Sequence, residues 1–235
     1  VNVADPPHDV VAEAAAYGVA LSGRTQELLG GYLTTLLETN RAFNLTAVTE
    51  PDQAWRKHIL DSLSLAPSFA ARPELNAVID VGSGGGLPAL PLAIAFPERR
   101  FTLLEATGKK ARFLEETSQS LGLSNVRVVS ERAETFAQGD GRARFDLVTS
   151  RAVSRLSVLL ELTLPFLRVG GLSLALKGEQ AELEIQEAKH ALAVLGAAVS
   201  GVTRTSTGTI VRIDKVSRTP AKYPRRPGEP KRAPL

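Results

Sequence analysis

Apolar side chains recur at helical spacing near the start of the chain. Leu28, Leu29, Tyr32, Leu33, Leu36 and Leu37 share one face of a 3.6-residue repeat, which predicts an amphipathic helix with Ser22 as its cap. The repeat breaks over residues 40–49 and resumes after Pro51, where Trp55, His58, Ile59 and Leu63 predict a further helix. Pro67 and Pro73 bracket an expected linker. From there the pattern changes. Short apolar runs at 77–81, 101–105, 126–129, 145–149, 172–176 and 209–213 read as strands. Residues 90–95, 109–121, 156–167 and 179–195 read as helices, the second ended by Gly122 and the third stopping before Gly170 and Gly171. Such alternation predicts an α/β fold, a parallel sheet covered by helices on both faces. The expected organisation is an N-terminal helical segment (1–73), an α/β domain (74–216) and a C-terminal tail (217–235), with no internal repeat.

Composition refines this picture. With 43% hydrophobic and 23% charged residues among 235, the chain reads as one globular domain with a small helical appendage. No apolar run reaches the roughly 18 residues of a membrane span. Residues 1–10 lack a basic start followed by an apolar core, so no secretory leader is read and the cytoplasm is the expected compartment. Cysteine is absent, which excludes disulfides, thiolate metal sites and cysteine nucleophiles; no metal is expected. The net charge of +3 is uneven. Arg218, Lys222, Arg225, Arg226, Lys231 and Arg232 stand against Glu229 alone, so the tail is +5 and the rest of the chain −2. A basic, Pro-rich tail suits contact with phosphates, while a solvated extension is the plainer account of the same residues.

The most informative stretch is Val78-Ile79-Asp80-Val81-Gly82-Ser83-Gly84-Gly85-Gly86-Leu87-Pro88. An apolar strand runs into glycines and then a helix, the place where doubly wound sheets bind ligands. The dinucleotide fingerprint G-x-G-x-x-G requires a glycine where this chain has Leu87; the glycines fall instead as Gly82, Gly84 and Gly86. No Gly-Lys-Ser/Thr follows, which disfavours a P-loop. Asp80 is suited to hold the turn or a ligand ammonium. Glu105 ends the next strand, where a carboxylate accepts both hydroxyls of a ribose. A nucleoside without phosphates fits this arrangement, and S-adenosylmethionine is one. A tight strand-to-helix turn and a solvated strand-end acid are the bland accounts. Glu134, in Arg132-Ala133-Glu134, is placed either to meet an adenine or to favour a helix dipole. Arg151 is expected at the carboxyl end of the fourth strand, at the site or in a surface ion pair.

The residues also restrict the chemistry. Methylation at a pyrimidine carbon usually uses a cysteine. Methylation of an exocyclic adenine amine commonly uses an Asn/Asp-Pro-Pro-aromatic loop, where this chain has Ser150-Arg151-Ala152-Val153. A ring nitrogen such as guanine N7 carries a lone pair and no proton, so alignment without a general base suffices.

Several segments together resemble the small-subunit ribosomal RNA guanine-N7 methyltransferase G family, also called the glucose-inhibited division protein B family. They are Asn40-Arg41-Ala42-Phe43-Asn44-Leu45-Thr46, His58-Ile59-Leu60-Asp61-Ser62, residues 79–91 and 109–114, Arg132-Ala133-Glu134, Ser150-Arg151-Ala152, Leu176-Lys177-Gly178 and Tyr223-Pro224-Arg225-Arg226-Pro227-Gly228. The likeness runs in order along nearly the whole chain, and the Asn-Leu-Thr and His-x-x-Asp-Ser elements are its most specific parts. It implies a Rossmann-like class I S-adenosylmethionine-dependent methyltransferase sheet preceded by a helical segment. It implies transfer of a methyl group to N7 of one guanosine in the decoding-region loop of 16S ribosomal RNA, naked or in the small-subunit particle, by a monomer. By resemblance, Gly82, Leu87, Ala133, Glu134 and Arg151 are cofactor positions; Gly84, Gly86 and Glu105 join them on the argument above. Arg151 is expected to position the reactants, without acid–base chemistry. Asn44, His58, Arg132 and Lys177 fall on polar positions expected to meet the RNA or support the site. Each also has a plainer account: a loop-closing Asn44, a satisfied helix histidine, an Arg132 paired with a neighbouring acid, a Lys177 ending its strand in solvent. Where family members often carry an Arg-His pair before the last strand, this chain has Thr207-Gly208-Thr209. The alternatives are a nicotinamide-dependent oxidoreductase and a non-catalytic RNA-binding or assembly protein on the same fold.

Overall fold

Residues 5–235 are described in a computed structural model; the absent leader read over residues 1–10 rests in part on residues 1–4, which lie outside them. Helices α1 (His8–Ala16) and α2 (Gly23–Asn40) lead the chain. Ser22 takes the extended backbone of a cap but makes no side-chain hydrogen bond to α2. The break after α2 is a closed turn, because Asn40 Oδ1 accepts from the backbone N–H of Leu45 (2.7 Å) and Thr46 (2.9 Å). The helix expected after Pro51 is continuous but not uniform. It runs as α3 (Pro51–Ala54), a π-helical stretch (Trp55–Leu60) and α4 (Asp61–Leu63). The expected linker between Pro67 and Pro73 contains a helix, α5 (Ala66–Ala70). Pro67 lies in its first turn, where a missing N–H costs nothing.

The strands are β1 (Ala77–Val81), β2 (Arg100–Leu104), β3 (Val126–Val129), β4 (Phe145–Arg151), β5 (Leu167–Lys177), β6 (Ala197–Arg204) and β7 (Thr209–Lys215). They form one sheet in the order β3-β2-β1-β4-β5-β7-β6. Strands β1 to β5 are parallel, but β7 runs antiparallel to β5 and to β6, so the sheet is mixed rather than parallel throughout. The chain returns from β6 to β7 by a short hairpin, which forces the reversal. The helices between the strands are α6 (Ala89–Ala95), α7 (Gly108–Ser120), α8 (Ala133–Gln138), α9 (Leu156–Thr163), α10 (Ala181–Glu187) and α11 (Lys189–Leu195), and α12 (Glu229–Arg232) follows the last strand. The helix expected over 156–167 ends at Thr163 and tightens into a 3-10 turn over Leu164–Phe166, where Pro165 lacks a backbone donor. The helix expected over 179–195 is two helices parted at Ala188.

Alternate residues of the central strands enter two cores. Val78, Leu147, Leu174 and Ile210 pack with Leu29, Leu33, Leu36, Trp55 and Leu90 on one face. Ile79, Val148, Ala175 and Val211 pack with Leu159, Leu160, Ala191 and Leu195 on the other. Burial on both faces explains why these strands read as unbroken apolar runs. The N-terminal helices share the first core with the sheet. They therefore stand beside the carboxyl ends of β1 and β4.

Candidate functional site

The turn after β1 is built by backbone constraint. Gly82, Gly84 and Gly86 all adopt positive φ, at 74°, 56° and 95°. A Cβ on Gly86 would lie 2.5 Å from Leu90 Cδ1, so neither its conformation nor its surroundings admit another residue. Leu87 is buried, and a cis bond joins it to Pro88 ahead of α6. Two side chains from other elements hold the turn from outside. The Tyr32 hydroxyl of α2 donates to the Gly85 carbonyl at 2.8 Å. The buried Glu105 carboxylate accepts from Gly84 N–H at 2.9 Å and, through its other oxygen, from Thr107 N–H at 2.8 Å. Each Glu105 oxygen keeps a further lone pair for a ligand.

Beside this turn lies a cavity of about 230 Å³, lined by Gly82, Glu105, Arg132, Ala133 and Glu134 among others, with Val153 and Val158 as apolar walls. Five sequence-predicted cofactor and substrate positions therefore meet in one cleft. Gly84 reaches it through Glu105, whereas Gly86 and Leu87 shape the turn behind it. Glu134 is buried and its Oε1 accepts from Gly228 N–H at 2.8 Å, with the exposed Arg132 guanidinium 3.3 Å from the same oxygen. Arg132 thus does pair with a neighbouring acid.

The strand ends supply a second feature. Asp80 is buried and accepts from the Thr149 hydroxyl at 2.7 Å through Oδ1. Its Oδ2, and the Ser150 hydroxyl, are buried without a hydrogen-bond partner among the described residues. Burial pushes the Asp80 carboxyl up to about 7, against the lowering effect of Thr149, Ser83 and Arg151. Asp80 lines neither cavity, so this unmet oxygen would serve a ligand ammonium that reaches behind the glycine turn. A Glu105 carboxylate with acceptor capacity left on each oxygen, an Asp80 oxygen without a partner and a glycine turn lacking the dinucleotide fingerprint together fit S-adenosylmethionine.

Arg151 closes β4 and faces a second, larger cavity of about 670 Å³, whose lining includes Thr46, His58, Asp61, Arg151 and Thr207. Its guanidinium donates to the Lys57 carbonyl (2.8 Å) and Asp61 Oδ2 (3.1 Å), and lies 3.4 Å from His58 Nδ1. The other His58 nitrogen meets the Thr46 hydroxyl at 2.7 Å. Burial, and then the Arg151 charge, hold His58 down at about 4, so its ring is neutral near pH 7. The π-helical stretch that carries His58 is a form of helix that recurs at functional sites. Thr207 donates to Asp61 Oδ1 at 2.6 Å. The place where family members often carry an Arg-His pair is therefore joined to the same cluster by a hydroxyl.

Ala152, next to Arg151, adopts φ 54° without being glycine. Such a conformation persists only when its surroundings fix it. Here Lys177 Nζ donates to the Ser154 carbonyl and meets Glu184 Oε2, both at 2.7 Å, while that carboxylate oxygen also accepts from Leu156 N–H. Lys177 is thus turned inward as a clamp on the loop after β4, rather than ending its strand in solvent. Asn44 is exposed and lines neither cavity; Asn40 does the loop closing that Asn44 was a candidate for. Sequence reasoning passed over Asp61, Thr207 and Asn40 as site residues. Asp61 stands in the His-x-x-Asp-Ser element, which was the available signal.

Comparison with known proteins accords with this arrangement. A family model described as rRNA small subunit methyltransferase G matches residues 25–211. The curated ribosomal RNA small subunit methyltransferase G of Sorangium cellulosum is 46% identical over 94% of this chain and 92% of its own length. Its namesake from Macrococcus caseolyticus is 42% identical over 93% and 94%. Among solved structures, the chain resembles a putative O-methyltransferase from Klebsiella pneumoniae at 16% identity, with a TM-score of 0.55 over 79% of this chain and 90% of that one. A variant of MtNAS in complex with S-adenosylmethionine gives the same identity and TM-score over 79% and 75%. At that identity the likeness concerns the fold alone. The nicotinamide oxidoreductase alternative finds no support in these relatives. The chain belongs to the rRNA small subunit methyltransferase G family.

Proposed function

We propose that this protein transfers a methyl group from S-adenosylmethionine to N7 of one guanosine in the decoding-region loop of 16S ribosomal RNA. The observation that carries the cofactor half is Glu105. Its two oxygens fix the turns after β1 and β2 by accepting from Gly84 and Thr107, and it lines the cavity together with Ala133 and Glu134. In this reading Glu105 accepts the ribose hydroxyls. Ala133 and Glu134 meet the adenine, with Val153 and Val158 against its faces. Asp80 takes the ammonium. The sulfonium supplies an electrophilic methyl when bound.

The target half rests on the larger cavity and on what it lacks for base chemistry. His58 is held neutral and engaged by Thr46, and Asp61 is engaged by Arg151 and Thr207. Both side chains are already engaged by neighbours, and guanine N7 has no proton to give. Arg151 positions the reactants and keeps the N-terminal helices against the strand end. Arg132 is exposed at the cavity mouth, placed to meet RNA phosphate. Asn44 stands on the exposed turn before α3 as a further RNA position. Lys177 acts through the loop it clamps. No helix among the described residues is long and apolar enough to cross a membrane. In this reading the enzyme works in the cytoplasm, where its RNA substrate is.

Calorimetry with S-adenosylmethionine, followed by transfer of labelled methyl to unmethylated small-subunit RNA, tests the proposal. Binding and incorporation are expected in the wild type, with cofactor affinity lost in Glu105→Ala. RNA binding with no transfer would favour the non-catalytic assembly reading instead.

A further inference from the structure

The basic tail is neither free nor solvated as a whole. Tyr223 and Pro224 are buried. Arg225 makes a two-pronged pair with Glu161 of α9, with Nη2 to Oε2 at 2.6 Å and Nε to Oε1 at 2.9 Å, and its own N–H donates to the same carboxylate at 2.8 Å. Glu161 is wholly buried. Arg142 holds the preceding stretch by donating to the carbonyls of Tyr223 (2.7 Å) and Thr219 (2.9 Å). These ties deliver the chain to the cleft beside the glycine turn. Gly228, at φ 83°, donates its N–H to Glu134 Oε1, and the next turn places Pro230 and Lys231 in the cavity lining together with Gly82 and Glu105. Of these two, Pro230 is buried and Lys231 exposed.

We infer that residues 225–231 are the outer wall of the adenosine pocket, with Pro230 and Lys231 as cofactor-contacting positions and Gly228 as the group that orients Glu134. This rests on the cofactor reading above. The physical reason is economy of one carboxylate. The Gly228 N–H and the Arg132 guanidinium both fall on Oε1, so Glu134 keeps acceptor capacity on Oε2 for an exocyclic amine. Without Gly228 the buried carboxylate would lose a backbone donor and its fixed rotamer. Without Pro230 one apolar wall of the pocket would open to water. Because the ligand and the tail share this wall, each stabilises the other's docking, as linkage requires.

The test uses S-adenosylmethionine calorimetry on the full chain, on a chain ending at Pro227, and on Pro230→Asp and Lys231→Ala in the full chain. The shortened chain and Pro230→Asp are expected to bind about tenfold more weakly or worse, with folding checked by circular dichroism. If the shortened chain fails to fold, the two substitutions decide. Trypsin cleavage after Lys231 and Arg232 is expected to slow severalfold when S-adenosylmethionine is added. Unchanged affinity in Pro230→Asp and Lys231→Ala, or cleavage indifferent to S-adenosylmethionine, overturns the inference while leaving the cofactor site standing. No binding to the full chain would instead overturn the cofactor reading on which it rests.

Discussion

The guanidinium of Arg151, at the end of the fourth strand, lies 3.1 Å from the carboxylate of Asp61, on α4 among the helices that precede the sheet in sequence. Ninety residues of chain separate them. This pair, with Thr207 on the far side of Asp61, makes the N-terminal helices a wall of the larger cavity rather than an appendage. Arg151→Ala is expected to cut kcat/KM about a hundredfold, because reactants displaced by even about 1 Å lose that much. Arg151→Lys should not restore it, since one ammonium cannot reach Asp61, the Lys57 carbonyl and the His58 ring together. Steady-state kinetics with both variants checks this; unchanged kinetics in Arg151→Ala would remove the residue from the site.

Asp80 makes cofactor binding depend on pH. Its carboxyl is pushed up to about 7 by burial, so it is near half-protonated at neutrality. An incoming ammonium needs the ionised form. Binding at pH 7 should therefore release about half a proton, seen as a calorimetric enthalpy that varies with buffer ionisation. Affinity should fall as pH drops below 7, by about tenfold per unit once well under it. Asp80→Asn should bind weakly with no such dependence.

His58 ties folding stability, rather than binding, to pH, and in the same direction. Its folded value of about 4 lies below the unfolded 6.5, so the unfolded chain binds the extra proton between them. Stability is intact above about 6.5 and is lost as pH falls toward 4, by about 3 kcal/mol at most. Denaturant titrations across pH 4–7 should show this slope flattened in His58→Gln. The chemical step should be flat from about pH 6 to 9, since a neutral ring and an unprotonated N7 exchange no proton.

Lys177 separates an RNA contact from a clamp. Its ammonium meets Glu184 and the Ser154 carbonyl in a largely buried place. Lys177→Met is expected to cost about 3 kcal/mol by leaving Glu184 without its cation. It should raise the cofactor KM through the loosened loop. The slope of RNA affinity against salt should stay the same, whereas loss of a phosphate contact would reduce it by about one. Thermal melts and salt titrations of RNA binding measure both.

What could be read from the sequence was what is encoded locally. The turn after β1 was legible because positive φ at Gly82, Gly84 and Gly86 demands glycine whatever the rest of the fold does. The central strands were legible because burial on both faces leaves an apolar run. Strand β6 was missed because it is a sheet edge whose residues are mostly exposed, so it carries no such run. The split at Ala188 and the π-helical stretch at Trp55 leave the apolar spacing nearly unchanged, and spacing alone does not reveal them. Partnerships across the fold were the least legible. Glu161 with Arg225 and Glu134 with Gly228 join residues 64 and 94 positions apart. The tail's charge was visible, but one of its arginines is spent on a buried carboxylate.

The measurement that tests the central claim most directly is mapping of the methyl group on unmethylated small-subunit RNA, offered both naked and as the assembled particle, with labelled S-adenosylmethionine as donor. The account predicts a single product, N7-methylguanosine, at one guanosine of the decoding-region loop in at least one of the two substrates, and none with Glu105→Ala. Label at a carbon, at an exocyclic amine or on ribose, or no label in either substrate while the protein binds the cofactor, would contradict it.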